Sequence, residues 1–374
     1  MNTFLKIILG GFLPILLFSC NRNEKKELVK TVDMQSITEG KFDDYVDDID
    51  CFPLKKSEYP FFDCWKLITY KGYYYLYSLS DFMVQIYDEK GTFIKRIDSR
   101  GKGKIETPTD ILINEENNQL WICDSRYKLN KYTLQGDFIE SVQFSVPFIK
   151  IISVDKQRFL VYESLLAENR EHLFSLYTDG LNEIKSFVEK GKISRKSPSY
   201  PPSLFTKDLD GNVYVLLGEK QMIYKYKDEN LEPFISLNFQ GDFLTEDKYP
   251  VQGFSDEQMS EIIKQNKYIY AIRNFGALSQ KLFFKTIGKE AMYYLIDCAE
   301  LGGVKFRSLF DGYIPKMTNP VAGSDGRYLY LVQKKKDLMN HYKDKECHYD
   351  AIKQIIHSDE QLDGGYNTYK IKII

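Results

Sequence analysis

Tyr75 to Lys95 reads YLYSLSDFMVQIYDEKGTFIK, and Leu120 to Glu140 reads LWICDSRYKLNKYTLQGDFIE. The two overlie without a gap at a step of 45 positions (132 − 87), pairing Ser80 with Ser125, Tyr87 with Tyr132, Gly91 with Gly136 and Phe93 with Phe138. Tyr75–Ser78 and Leu120–Cys123 are short apolar runs rich in aromatic and β-branched residues, too brief for helices. Met83–Tyr87 and Leu129–Tyr132 supply the next strand. A tight turn follows at Asp88-Glu89-Lys90-Gly91 and at Thr133-Leu134-Gln135-Gly136, with glycine where a positive φ is needed. Phe93-Ile94 and Phe138-Ile139 open an outer strand. Hairpins repeating every roughly 40–50 residues specify β-propeller blades and exclude the α-solenoid repeats of similar length.

The pattern extends in both directions. Tyr177-Thr178-Asp179-Gly180 echoes the two turns, again 45 positions on (177 − 132). Blade one is expected over Trp65–Asp98, blade two over Thr109–Gln143 and blade three over Phe148–Val188. Blade four is marked by Asp210-Gly211-Asn212 before Val213–Leu217 and by Met222–Tyr226. Blade five follows from Leu282–Thr286, Met292–Ile296 and Val304–Leu309, and blade six from Asp325-Gly326-Arg327 before Tyr328–Val332. Ile49–Lys55 is a strand ahead of the first repeat, and Thr368–Ile374 alternates Tyr369, Ile371 and Ile373, so the two are expected to pair in the last blade. The fold expected is therefore all-β: a six-bladed β-propeller of four-stranded antiparallel blades, its ring closed by an N-terminal strand in the last blade, with short helical insertions. Ser164–Glu171, Phe239–Asn266 and Lys334–His357 interrupt the repeat, and Ser255-Asp256-Glu257-Gln258 reads as a capping box opening a helix.

Ahead of the repeats stands an address. Lys6 supplies a positive charge, Ile7–Phe18 is apolar but shorter than the roughly 20 residues of a membrane span, and Leu17-Phe18-Ser19-Cys20 follows. Leu-Phe-Ser-Cys resembles the lipobox of bacterial lipoproteins, in which cleavage leaves the cysteine to carry lipid. The expected organisation is a signal peptide over 1–19, a polar tether over 20–44 and the propeller over 45–374, with Cys20 lipidated and the membrane reached through that lipid. The acidic run Phe42–Asp50 lacks the glycine and ligand spacing of a calcium loop and reads as a solvated face.

Composition narrows the function. The 374 residues are 43% hydrophobic and 28% charged, and a net charge of −2 offers no basic footprint for nucleic acid. Aromatic residues make up 15%, enough to fill wedge-shaped spaces between twisted sheets. Cys51, Cys64, Cys123, Cys298 and Cys347 contain no Cys-x-x-Cys; Cys51 and Cys64 are the one close pair, and their bonding stays open. The four histidines, His172, His341, His348 and His357, do not make a ligand set, although His341 and His348 are expected on one helix face. No Gly-x-Ser-x-Gly or His-Glu-x-x-His occurs, and neither a metal nor a cofactor is expected.

After blade one comes Ser99-Arg100-Gly101-Lys102-Gly103-Lys104-Ile105-Glu106-Thr107, then Asp110. This link, with the lipobox and closing strand, resembles the Bacteroidota six-bladed β-propeller lipoproteins, an NHL-like family whose link reads Arg-Lys-Gly-x-Gly-Pro-Gly-Glu-aromatic. Gly101, Gly103 and Glu106 match, whereas Lys104, Ile105 and Thr107 depart from the pattern. The resemblance covers nearly the whole mature chain and implies the fold and an outer-membrane location, on the periplasmic face or the cell surface. It implies little about activity. Arg100, Lys102 and Lys104 among glycines are candidates for an anion-binding nest, set against a plain inter-blade crossover. No Lys-Ser/Thr follows at P-loop spacing.

The reading reached is a lipid-anchored envelope module that binds or scaffolds a protein, peptide or glycan through loops on a rigid disc. The alternative is an enzyme, a lyase or hydrolase, with its site in the central channel. Converging acid and base groups from several blades would mark the enzyme. A structural subunit of an outer-membrane assembly would instead expose a large apolar patch.

Overall fold

The computed structural model describes residues 29–55, 63–124, 127–144, 147–163, 171–189, 204–244, 256–315, 321–358 and 362–374. The expected signal peptide, Cys20, Ser125, Ser255, Lys190–Pro202 and nearly all of Ser164–Glu171 lie outside these residues. Three strands precede the first repeat: β1 (Lys30–Asp33), β2 (Thr38–Glu39) and β3 (Val46–Lys55). Blade one is β4 (Lys66–Tyr70), β5 (Tyr73–Ser78), β6 (Met83–Asp88) and β7 (Phe93–Ile97). Blade two is β8 (Pro108–Asn114), β9 (Gln119–Asp124), β10 (Lys128–Thr133) and β11 (Phe138–Gln143). Blade three is β12 (Phe148–Ser153), β13 (Arg158–Glu163), β14 (His172–Thr178) and β15 (Glu183–Glu189). Blade four is β16 (Phe205–Lys207), β17 (Val213–Leu217), β18 (Met222–Lys227) and β19 (Asn230–Asn238). Blade five is β20 (Ile269–Leu278), β21 (Lys281–Gly288), β22 (Tyr293–Asp297) and β23 (Gly303–Phe306). Blade six is β24 (Val321–Ser324), β25 (Tyr328–Lys334), β26 (Leu362–Ile373) and, as its outer strand, β3. Cys51 stands opposite Tyr369 and Ile49 opposite Ile371, so the expected closure is present.

Period-2 alternation explains why these strands are apolar on both sides. In β5, Tyr74 and Leu76 pack toward blade six, whereas Tyr75 and Tyr77 pack toward blade two. The same division runs round the ring, so the hydrophobic core is a set of six inter-blade clusters rather than one centre. Tyrosine suits this place because its ring fills the wedge and its hydroxyl finds backbone on the next blade. Tyr75 donates to the Leu134 carbonyl at 3.1 Å. The repeated Tyr87, Tyr132 and Tyr177 each mark a one-residue shift in pairing with the outer strand, a bulge at the same place in three blades.

The repeated glycines answer to packing between blades. Gly91 has φ +70°, and a Cβ there would fall 1.9 Å from the Pro53 carbonyl oxygen of β3, while Lys55 N–H donates to Gly91 O at 2.9 Å. Gly136, at φ +87°, would place a Cβ 2.8 Å from Ile86 Cδ1 of blade one.

Of the tether expected over 20–44, residues 30–44 need correction. β1 runs parallel beside β19, with Val32 opposite Leu237, and β2 runs parallel beside β23. Outer strands carry unpaired N–H and C=O groups, and this segment covers two of them. Val32, Met34 and Ile37 are buried in the cluster between blades four and five, and Phe42 meets Phe306 edge-on at 5.4 Å. Asp44, Asp47, Asp48 and Asp50 are exposed as expected, but Asp43 is held in a polar joint described below.

α1 (Asp256–Gln265) connects blades four and five; α2 (Lys335–His341) and α3 (Asp350–His357) connect β25 to β26. His341 ends α2 and His348 lies in the link before α3, so the two do not share a helix face. Cys51, Cys64, Cys123, Cys298 and Cys347 are free thiols.

Alanine at Gly136 adds positive-φ strain of about 1–3 kcal/mol against a side chain that can move. Alanine at Gly91 adds the same strain plus a collision with backbone. Gly91→Ala is therefore expected to lower the urea midpoint clearly more than Gly136→Ala; equal losses would show that the approach to Pro53 is slack.

Candidate functional site

Inner strands β4, β8, β12, β16, β20 and β24 surround the axis and line a cavity of about 560 Å³. The cavity extends to the turns that follow the inner strands, including Asp208–Gly211 and Asp325. Because the blades are antiparallel meanders, α1 and the α2–α3 insertion leave from the opposite face, where the inner strands begin.

The inner strands of blades one to three each carry one charge: Lys66 in KLITY, Asp110 in PTDILIN and Lys150 in FIKIIS. Pairing of β8 with β9 shifts between Pro108 and Asp110, and pairing of β12 with β13 shifts between Phe148 and Lys150. A bulge re-aims the side chains beside it. Here it brings Asp110 and Lys150 to the cavity wall with Lys66. Asp110 is 1% exposed; its Oδ1 accepts from Lys66 Nζ at 2.9 Å and its Oδ2 from Ile151 N–H at 2.9 Å. Lys66 Nζ also donates to the Ile111 carbonyl at 2.9 Å, and the buried Lys150 Nζ donates to the Thr109 carbonyl at 3.0 Å. Burial lowers the pKa of Lys150, opposed by Asp110 and reinforced by Lys66. Burial, with the Asp110 charge, raises the neighbouring Cys123 thiol well above its ordinary value, which keeps it protonated.

Across the channel, Thr206 Oγ1 and Ser324 Oγ lie 3.1 Å apart and both accept from Ala277 N–H, at 2.8 and 3.1 Å. At the turn end, the carboxylates hold their own turns. Asp208 accepts from Asn212 N–H at 2.8 Å and the Tyr214 hydroxyl at 3.1 Å; Asp325 accepts from Tyr328 N–H at 2.8 Å and the Tyr330 hydroxyl at 2.6 Å. Such an arrangement can seat a charged ligand. Among the described residues, Asp110, Asp208 and Asp325 are each engaged by donors of the protein itself.

The link residues take other positions. Arg100 closes on Asp98 at 2.9 Å and Lys104 faces Glu106 at 3.8 Å, while Lys102 is exposed. Gly103 would drive a Cβ to 2.1 Å from the Phe138 ring, and its carbonyl accepts the Tyr132 hydroxyl. Buried Ile105 and the Glu106 and Thr107 N–H groups, both bound to Asp124 Oδ1, fix this link as a crossover between blades.

A polar joint lies between blades five and six. Asp311 accepts from His348 N–H at 3.0 Å, His348 Nδ1 at 2.7 Å and the Tyr342 hydroxyl at 2.9 Å. Its own N–H donates to Asp43 Oδ1, which also accepts the Tyr349 hydroxyl at 2.6 Å. Burial would raise the Asp311 pKa, but the hydrogen bonds from His348 and Tyr342 outweigh it and hold it low. Asp311, through its hydrogen bond and charge, raises His348. His341 Nε2 lies 3.0 Å from the Asp311 carbonyl, so both histidines serve one aspartate. Among the described residues no group of three or more His, Cys, Asp or Glu is placed to hold a metal.

Asp110 answers two cations, so Asp110→Asn leaves buried positive charge uncompensated and is expected to cost about 3–5 kcal/mol. Lys150→Met keeps the Lys66–Asp110 pair and is expected to cost less. Equilibrium urea unfolding of both variants measures the order; the reverse order would refute this account of the channel charges.

The fold is shared with solved structures. A Bacteroides fragilis protein described as exported aligns with a TM-score of 0.75 at 14% identity, covering 93% of this chain and 100% of that one. A duf4221 family member from Bacteroides vulgatus aligns with a TM-score of 0.52 at 12% identity, over 88% of this chain and 97% of that one. No curated protein matches the sequence. A family model described as a domain of unknown function, DUF4934, matches residues 27–361.

Proposed function

The chain belongs to the DUF4934 family, and we propose that it is an envelope binding module whose ligand enters the central channel from the turn face. One observation carries this reading: an open cavity of about 560 Å³ walled by rigid inner strands, with the charged groups of its inner end, Lys66, Asp110 and Lys150, drawn from three blades. Pockets of this size, mostly apolar with a few fixed polar groups, are where proteins hold small ligands. The polar groups support binding rather than chemistry. Both Asp110 oxygens are engaged, Cys123 is held as a thiol, and Asp208 and Asp325 hold turns.

The address rests on Lys6, the apolar Ile7–Phe18 and Leu17-Phe18-Ser19-Cys20, which support export and lipidation at Cys20. Acyl chains on Cys20 would hold the module to the outer membrane.

Lys207 lines the cavity at the turn end, is half-buried and can be replaced without breaking a turn. Native mass spectrometry of the full chain mixed with the low-mass fraction of the envelope is expected to show a retained species that Lys207→Trp loses. Equal retention by both proteins would place binding elsewhere. Cys20→Ala is expected to move the protein from the membrane fraction to the soluble one; unchanged partition would remove the lipid anchor.

A further inference from the structure

The inner end of the channel has more hydrogen-bond donors than acceptors. Lys66 carries three N–H donors and no acceptor. Two are taken, by Asp110 Oδ1 and the Ile111 carbonyl, both at 2.9 Å. The side chain is 25% exposed and lines the cavity, which leaves its third donor for what occupies that space. On β16 and β24, Thr206 and Ser324 own two hydroxyl protons, and the 3.1 Å contact between their oxygens uses one. Both oxygens already accept from Ala277 N–H, so the second proton has no acceptor within the pair. The channel therefore presents surplus donors from β4 and from the β16–β24 pair.

Charge points the same way. Among the described residues at the inner end, Lys66 and Lys150 stand with one carboxylate, Asp110, so cationic side chains outnumber anionic ones there. A ligand that supplies acceptors, brings no donors and carries negative charge satisfies both surpluses at once. The remaining wall decides what else it must be. Leu67, Leu112, Phe205 and Phe275 line the same space, so a carbon body is accommodated beside the charged end. The turn end is lined by Glu115, Asp208, Asp210 and Asp325 against Lys207 alone, an acidic rim that repels a multiply charged anion more than a single one.

Resting on the channel as the binding site, we propose that it selects organic monocarboxylates, the carboxylate seated between Lys66 Nζ and the Thr206–Ser324 hydroxyl pair, with the apolar body against Leu112 and Phe275. Charge-assisted hydrogen bonds of this kind are the strong ones, and one is commonly worth a tenfold or larger factor in affinity.

Hexanoate and hexanamide share a carbon body and differ in charge, so they separate the ligand class from the site. Titration calorimetry on the wild-type chain is expected to show hexanoate binding about tenfold or more tighter than hexanamide. Thr206→Val, near in shape and with Lys66 untouched, is expected to weaken hexanoate about tenfold while leaving hexanamide little changed. Lys66→Met is expected to make the two probes equal. Should that variant not fold, the wild-type comparison and Thr206→Val still decide the matter. Equal binding of both probes to wild type, abolished by Lys207→Trp, would overturn the carboxylate preference and leave the channel as the site. Binding unaffected by Lys207→Trp, or no binding of either probe, would overturn the preference and the channel reading together.

Discussion

The hydrogen bonds between β3 and β26 join the first long strand of the chain to its last, with Asp50 opposite Lys370 and Ile371 opposite Ile49. Every blade sheet buries both faces against neighbours, so an open ring would leave two apolar faces in water. Closure by pairing removes them without any covalent staple, and the five described cysteines stay free. Gly91 belongs to this seam as much as to its own hairpin, because its backbone lies directly against Pro53 of the closing strand.

The N-terminal segment reinforces the same seam from outside. β1 and β2 lie parallel along the rims of blades four and five, and Phe42 then enters the cluster between blades five and six. Asp43 reaches Asp311 and Tyr349, which ties this strap to the insertion that carries α2 and α3. The helical segment is thus anchored at its polar side by Asp311 and at its apolar side by Leu338, Ile352 and Ile355. Apolar side chains that remain exposed on the outer strands, Ile94, Ile139 and Ile184, recur once in each of blades one to three at intervals of 45 residues (139 − 94 and 184 − 139). They repeat because the blades repeat.

Polar groups concentrate where apolar packing cannot reach, along the axis. Inner strands are closest there, and bulges in β8 and β12 turn Asp110 and Lys150 toward the lumen. A buried lysine is tolerated because the Thr109 carbonyl receives it and the Asp110 charge favours it. Such a wall is stiff, since each charged group is fixed by backbone of an adjacent blade, and a stiff wall suits recognition.

The blade repeat, the strand that closes the ring and the helical insertions were legible in the sequence because each rests on local pattern: period-2 alternation, turn glycines at a fixed step, and breaks in that step. Residues 30–44 were misread as a tether, since a parallel strand added to an outer edge is set by that edge and carries little signal of its own. Likewise, His341 and His348 look like neighbours by spacing, and only the break after α2 shows that Asp311 is what they share. The channel triad left one faint trace, a charge inside each of three apolar strands. That Lys66, Asp110 and Lys150 meet follows from the ring itself. Sequence determined which residues form each blade, because strand pairing is local; the tertiary structure alone decided which inner strands adjoin and where their bulges aim, because those contacts join residues some 40 positions apart (110 − 66 = 44 and 150 − 110 = 40).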